Sequence, residues 1–576
     1  MKVKPKGQFA AVNLTQSHFV ATGGQASVYI KDGKAYKIYT DPKDTIPESK
    51  FQELSTIQDP FVIKPQVMLL DEKNNRIGYV MDTVQGSASL CQVFTKGFRL
   101  RNKIENQQII KLVADGQVHI GNIHKAGCLI VDLNENNELL SPGFDHIYFL
   151  DVDSYQTKSY PATVLNPSVR DYSVSSKDFS ALSDWFSWAV LAFQMFIGIH
   201  PYKGSYVPMD NLDKDHKLEQ RMRQRISAFH KGVDLPRVCY PFDVIPQHYK
   251  DWLLAVLEQG KRCAPPDPTT MAAVTIQAIQ RTLQFLSGAL AITEIYDLDG
   301  WDLVDYAESN NRALTLLSKN SKTKVLYSSR EIFAEDLPGT TLVGFTPQMD
   351  DPIGLNLDRG KVTLISLTKG TKQVLEMKAL QIAKYDGRFY IRTPSNILEL
   401  ILRENPSGTL VTYHPVASVL EHATELYEGI AIQNMMGSAF VSIFHKSRSG
   451  CQVRMPELDK YRIVEAKFER RVLMTLVSKG GKYHRQVFRF SEDYSSYDYR
   501  IVDNISPVGI NFITLPSDIC LNLTEDEKLE AFSAKKDSTG VKVIDDPAIG
   551  SDMTLLVVNG KAGFQRNNKI FQISLK

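Results

Sequence analysis

Three short stretches of this chain carry residue types that can handle phosphate. The first is Ala21-Thr-Gly-Gly-Gln-Ala-Ser-Val-Tyr29, with Lys37 eight residues further on. A hairpin containing glycine lets backbone N–H groups approach phosphate oxygens, because no side chain intervenes. Lys37 lies in Ala35-Tyr-Lys-Ile-Tyr39, a strand pattern that turns it away from its apolar neighbours. The second stretch is Val131-Asp-Leu-Asn-Glu-Asn-Asn137, whose Asp132 and Asn137 can face one cleft from a loop. The third is Ile147-Tyr-Phe-Leu-Asp-Val-Asp153, which sets Asp151 at the end of an apolar strand. Asn137 and Asp151 together offer the oxygen ligands that Mg²⁺ prefers. Taken singly, each stretch also reads as a plain hairpin or an Asn- and Asp-rich turn.

Order and spacing distinguish the set from three unrelated turns. Glycine loop, lysine, Asp-x₄-Asn, strand-end aspartate and then Asp184-Trp-Phe-Ser-Trp188 follow one another along residues 12–286. This succession resembles the protein kinase superfamily, and within it the bacterial and phage kinase-like proteins of the YegI type. The matching pieces are Gly23-Gly-Gln-Ala-Ser-Val-Tyr29, Asp132-Leu-Asn with Asn137, Leu150-Asp-Val-Asp-Ser-Tyr-Gln156, and Asp184 with Ala189-Val, Phe193-Gln and His200-Pro-Tyr. The resemblance implies a two-lobed α+β domain that binds ATP and Mg²⁺. It implies that Gly23 and Gly24 cover the phosphates, that Lys37 pairs with them and that Val28 lines the nucleotide pocket. By the same resemblance Asp132 orients or deprotonates the acceptor hydroxyl, and Asn137 and Asp151 hold Mg²⁺. Residues 79–83, with Met81 and Thr83, would be the hinge for adenine. Asp184 would brace the catalytic loop from a buried helix.

The chain departs from the family pattern at several points. Ala21 and Ala26 stand at the outer glycine positions of the loop. Ile130-Val131-Asp132 replaces His-Arg-Asp, so no arginine is present there to read a phosphorylated activation loop, and His124 is expected to be structural. Asn134 stands where Ser/Thr kinases carry lysine, and Asp151-Val152-Asp153 replaces Asp-Phe-Gly. Asp153 can join the metal or cap a turn, and the turn is preferred. Two glutamates, Glu48 and Glu53, can supply the carboxylate that a buried lysine needs, and Glu48 is preferred. Ala-Pro-Glu has no counterpart before Asp184.

Positioning these residues requires strands before helices. Residues 19–30, 35–38 and 77–81 read as strands. Residues 107–124, 184–196, 249–257 and 271–286 have helical spacing. That order is an α+β pattern. The texture changes near residue 290, after which short strands and turn dipeptides continue almost to the end. Expected strands include 361–367, 373–377, 389–392, 397–402, 439–444, 471–477, 486–490 and 553–558. Strong strands recur at roughly 35–50 residues, an interval that suits a four-stranded propeller blade. The reading is thus a multidomain chain: a kinase-like domain over 1–289 and an all-β domain over 290–576. The latter is expected to be a β-propeller of six or seven blades, with an irregular β-sandwich pair as the alternative.

The bulk numbers exclude several classes. Sixty-seven basic residues nearly balance 65 acidic ones, so no field favours nucleic acid or anionic membrane. Six scattered cysteines form no CxxC pair, which indicates reduced thiols in a cytoplasmic protein. The basic N-terminus lacks the apolar core of a signal peptide, and residues 185–199 are too short to span a bilayer. The β-rich half is expected to bind a protein substrate or partner. Its basic stretches, 467–471 and 479–485, read as a solvated face or as a contact for phosphate or an acidic partner. The functional expectation is an ATP-dependent Ser/Thr protein kinase that also phosphorylates itself. Its candidate sites are Thr157, Ser159, Thr163, Ser168, Ser173, Ser175 and Ser176. The alternatives are an ATP-binding pseudokinase whose β half recruits a partner, and a kinase-fold enzyme of other nucleotide chemistry.

Overall fold

The structure, a computed structural model, describes residues 1–8, 10–23, 25–84, 88–162, 165–175, 178–236, 238–268, 290–310, 312–319, 322–405, 408–445, 448–459 and 461–575. Gly24, Thr163, Ser176 and the expected helix over 271–286 lie outside these residues.

The first half begins with a seven-stranded sheet. Its strands are β1 (Lys2–Pro5), β2 (Val12–Asn13), β3 (Phe19–Thr22), β4 (Ala26–Lys31), β5 (Lys34–Tyr39), β6 (Val67–Leu70) and β7 (Arg76–Asp82), in the order β2-β1-β6-β7-β5-β4-β3. The single strand expected over 19–30 is two strands, β3 and β4, which pair antiparallel. Alternation along β5 decides its two faces. Tyr36 and Ile38 join a core with Phe19, Tyr29, Leu69 and Val80, while Tyr39 packs on the opposite side into the main core. Helix α1 (Glu48–Ser55) turns Lys50 and Leu54 inward.

Three more short strands, β8 (Ala88–Ser89), β9 (Glu138–Leu140) and β10 (Ile147–Phe149), form a second sheet. Around it lie α2 (Lys96–Arg101), α3 (Asn106–Lys125), α4 (Ala181–Ile197), α5 (Lys214–Gln224) and α6 (Gln247–Leu253). The apolar run in α4 is the centre of the core, with Trp188 fully buried. Gly116 on α3 is needed there, since a Cβ at that position would come within 2.3 Å of the Trp188 ring. The expected helix over 249–257 continues from α6 into one π-helical turn, Leu254–Glu258. Among the described residues no helix is long and apolar enough to cross a membrane.

From Leu290 onward the regular structure of the described residues is strand, apart from one 3₁₀ turn at Pro456–Leu458. The strands form seven four-stranded antiparallel sheets. Six are meanders in chain order, over residues 302–334, 340–375, 381–418, 424–454, 462–505 and 512–544. The seventh joins the last three strands, over 554–575, to the first, Leu290–Asp297, which pairs with Lys569–Leu575. The expected strands between 361 and 558 all fall within these sheets. Opening strands of successive sheets lie side by side, as with Asp302–Ser309 and Thr340–Phe345. Opening strands of all seven line one cavity of about 1270 Å³, which α2 also borders through Lys96, Leu100 and Arg101.

The two halves share a core. Val464, Leu476, Tyr483 and Ile505 belong to the apolar cluster centred on α4. On another side, Ala423 and Leu420 pack into the cluster on the outer face of the seven-stranded sheet.

Candidate functional site

Lys37 sits mid-strand in β5, opposite Val28 of β4 and Tyr79 of β7. Its Nζ donates to Asp151 Oδ1 at 2.5 Å and to both oxygens of Asp153 at 2.8 and 2.9 Å. Asp153 is 8% exposed. It also accepts from the Tyr79 hydroxyl at 2.6 Å and from the Tyr39 hydroxyl. Against the cost of burial, the two carboxylates hold the Lys37 ammonium above its ordinary pKa. Against the same cost, Lys37 and the two hydroxyls hold Asp153 below the usual carboxylate range. Burial and the neighbouring Asp153 raise Asp151, with Lys37 opposing.

This geometry corrects two expectations. Glu48 does not reach Lys37; it is exposed at the start of α1 and pairs with Lys6 at 2.6 Å. Glu53, half-buried, accepts from the Ser159 backbone at 3.1 Å. The inward face of α1 carries Lys50, whose ammonium donates to the Asp153 carbonyl at 2.7 Å. Asp153, read as a turn residue, is instead the second carboxylate on Lys37. One signal was present in the sequence: a carboxylate two residues past the strand-end aspartate in a chain that needs an anion for its lysine.

The loop bearing Asp132 is held from below. Asp184 on α4, fully buried, accepts from Ile130 N at 2.8 Å, from Val131 N at 2.9 Å and from His124 Nε2 at 2.9 Å. Both the bracing role of Asp184 and the structural role of His124 are as expected. Asp132 N donates to Ile130 O at 2.8 Å across Val131, whose φ is +64°. This is the bond and the φ of a γ-turn, a rare and strained conformation for a β-branched residue. Asp151 also has positive φ, +56°. Asn134 closes the next turn, donating to Asp132 O at 3.1 Å and accepting from Asn136 N at 3.1 Å. The residue standing in the lysine position is thus a loop builder. Asn137 O accepts from Leu150 N at 2.8 Å, which ties the loop to the residue before Asp151.

Asp132 Oδ1 is buried and accepts no hydrogen bond. Burial first, and the charge of Asp151 second, push the Asp132 carboxyl up to about 6. Lys37, Asp151 and Asp153 are therefore in direct contact, with Asp132 and Asn137 on the adjoining loop. Gly23 lies at the exposed turn between β3 and β4, and its N–H donates to Ala26 O at 2.8 Å. That turn does not demand glycine at 23, because a Cβ would meet its nearest atom at 3.8 Å. Val28 is half-buried beside Lys37, Met81 packs at the edge of the main core, and Thr83 is half-buried where β7 has ended. Tyr79, in the expected hinge, points inward to Asp153 instead.

The β-rich half reaches this loop, which the sequence did not reveal. Tyr483 donates its hydroxyl proton to the buried Glu135 Oε1 at 3.0 Å. Arg462 Nη1 donates to Asn136 O at 2.6 Å, and its other nitrogen to the Ser89 hydroxyl. Ser478 donates to Asn136 Oδ1 at 3.1 Å. Of the basic stretches noted in the sequence, Lys467 is tied to Glu469 at 2.6 Å rather than left as a free contact.

No protein-family model matches the chain, and no curated protein is significantly similar to it.

Proposed function

We propose that residues 1–289 are a protein-kinase-like phosphotransferase, most simply of Ser or Thr, and that residues 290–576 are a seven-bladed β-propeller closed by Leu290–Asp297. The observation that carries the reading is the triad of Lys37, Asp151 and Asp153 beside the half-buried Asp132. The donor set suits its ligands. Asn137 and Asp151 offer only oxygen, the choice of a hard cation, and Asp151 keeps 39% of its side-chain exposure. Bound Mg²⁺ would neutralise charge on the phosphates of ATP.

The chain's own groups supply the rest. Asp153 and two tyrosine hydroxyls fix the Lys37 ammonium, so that it meets a phosphate oxygen without reorganising. Asp132 is half-buried, so its carboxylate can meet an acceptor hydroxyl, and a pKa of about 6 suits a general base. Asp184 holds that carboxylate through the backbone of the strained turn. The glycine at 23 is not needed by its own turn, which leaves close approach to phosphate as a reason for it.

Incubation of the purified chain with γ-labelled ATP and Mg²⁺, followed by mass spectrometry, tests this. The expected result is self-phosphorylation in the wild type and its loss in Asp132→Asn and Asp151→Ala. Equal, negligible label in all three would sink it. The clamp of Arg462, Tyr483 and Ser478 on the Asp132 loop favours a second reading, a nucleotide-binding pseudokinase. ATP-dependent thermal stabilisation without label is its signature.

A further inference from the structure

A second cluster of ligating side chains lies on the far side of β10 from any role given above. Asp115 and His119 are one turn apart on α3, so both project from one face. His146 stands immediately before β10. The candidate ligand atoms of the three residues all lie within 4.8 Å of one another. His119 Nε2 is 3.2 Å from Asp115 Oδ2, and His146 Nδ1 is 2.9 Å from Asp115 Oδ1. Asp115 Oδ2 also accepts from Ile147 N at 2.7 Å, and His146 Nε2 lies 4.0 Å from Asp145.

His119 has the arrangement of an oriented ligand. It is 5% exposed, and its Nδ1 pairs with Asp59 Oδ2 at 2.8 Å. Asp59 is itself fixed by Asn122 at 2.7 Å and by Phe61 N at 2.9 Å. In the tautomer that donates from Nδ1 to Asp59, Nε2 carries the lone pair that a metal ion needs. Despite the short separation, Nε2 makes no well-aligned hydrogen bond. Two carboxylates, Asp59 and Asp115, flank this one imidazole in a buried site, and a cation bound at Nε2 would offset their charge. A carboxylate behind an imidazole that faces a second carboxylate is the outer-shell pattern of zinc sites. The His119–Asp115 separation of 3.2 Å is near the roughly 3.3 Å that a tetrahedral ion with bonds of about 2.0–2.1 Å sets between its ligand atoms. Phe61 closes one side, its ring 4.4 Å from that of His146 and 4.7 Å from that of His119. The His146 side chain is 42% exposed, which provides a path of entry and room for a water as fourth ligand.

We propose that Asp115, His119 and His146 bind one Zn²⁺ ion, with Asp59 orienting His119. Two imidazoles and one carboxylate select a transition ion over Mg²⁺ or Ca²⁺. The ion joins α3, the Asp59 turn and the start of β10, the strand that leads to Asp151. The site does not depend on the nucleotide reading.

The test uses untagged full-length protein stripped with a chelator. Zn²⁺ is titrated by calorimetry, and Co²⁺ by its visible absorption. The expected result is one equivalent per chain and an intense tetrahedral Co²⁺ spectrum. His146→Ala, at a half-exposed position outside the core, should keep the fold by circular dichroism and weaken binding at least ~10-fold. Asp59→Asn should weaken it by about 10- to 100-fold, as outer-shell changes do. Asp151→Ala should bind like wild type. Failure of the wild type to take up either ion would overturn the proposal, as would wild-type affinity and stoichiometry in His146→Ala.

Discussion

Asp153 collects three donors on one buried carboxylate, and two of them are tyrosine hydroxyls with no route to water. Asp153→Ala would strand those hydroxyls and remove half of the countercharge on Lys37. Breaking a buried pair in this way costs about 3–5 kcal/mol, so urea unfolding should show a loss of that size. Glu48→Ala, by contrast, should leave both the urea midpoint and nucleotide binding unchanged, because Glu48 touches only Lys6 on the surface. Asp132 allows a second prediction. Its carboxyl must be ionised to take a proton, so kcat/KM of any transfer should rise through a midpoint near 6 and level off above it. The same shift acts on stability with a definite sign. The folded-state value lies above the unfolded one, so ionisation disfavours the fold. That penalty is absent below about pH 4, grows as pH rises to about 6 and is then constant. Asp132→Asn should therefore melt at a higher temperature than wild type at neutral pH, with the gap closing near pH 4. At this scale the order and spacing of the motifs singled out Lys37, Asp132, Asn137, Asp151 and Asp184, and the structure brings Lys37 onto Asp151 and hangs the Asp132 loop on Asp184. The partner of Lys37 was missed because α1 presents Lys50 inward, a matter of helix rotation that spacing alone does not decide.

Elements from both halves of the chain hold the Asp132 loop. α4 does so from within the first half through Asp184. The strands Val472–Lys479 and Lys482–Phe490 do so from the second, through Ser478 and Tyr483. Glu135 lies between them, fully buried, with its carboxyl pushed up by that burial. Tyr483→Phe deletes the hydroxyl that Glu135 accepts from and keeps the ring. A lost hydrogen bond to a buried acid costs about 1.5–3 kcal/mol, which thermal melts should register. If the transferase reading holds, the looser loop should also lower kcat more than it raises KM for ATP. Element type was readable for long periodic segments such as α3 and α4, and for the alternating strands between 361 and 558. Boundaries were less so. The continuous β-branched and aromatic pattern over 19–30 hides a turn that only glycine marks, and α6 slides into a π turn that no local signal announces. Contacts between sheets and the loop were illegible, because they join residues more than three hundred positions apart.

At the scale of the molecule, the β-rich half is not an appendage. It supplies Val464, Leu476, Tyr483 and Ile505 to the core around α4, and it packs Ala423 against the seven-stranded sheet. It thus touches both parts of the first half at once. Any motion that brings the seven-stranded sheet and the helical region together must work against that brace. Residues 1–289 expressed alone should lack a cooperative transition by calorimetry and should bind an apolar dye, while the full chain melts as one unit. Two independent transitions in the full chain, with the first half intact alone, would show that the shared core is not needed. The change of texture near 290 pointed to an all-β second half, and the recurrence of strands pointed to a repeated sheet. Neither could foretell the docking, since an apolar residue facing a neighbouring domain has the same pattern as one facing its own core.

The pairing of Leu290–Asp297 with Lys569–Leu575 has a consequence for how the chain is made. The opening strand of the β-rich half emerges from the ribosome long before its partner. Six sheets can form in turn by neighbouring hairpins, while that strand waits with an unpaired edge. Loop-closure entropy grows only slowly with length, so the final pairing is cheap in equilibrium terms and late in time. Edge strands left open in that interval are templates for pairing with other chains. The interval between the two strands, rather than the stability of the finished fold, should set how much newly made protein is lost to aggregation.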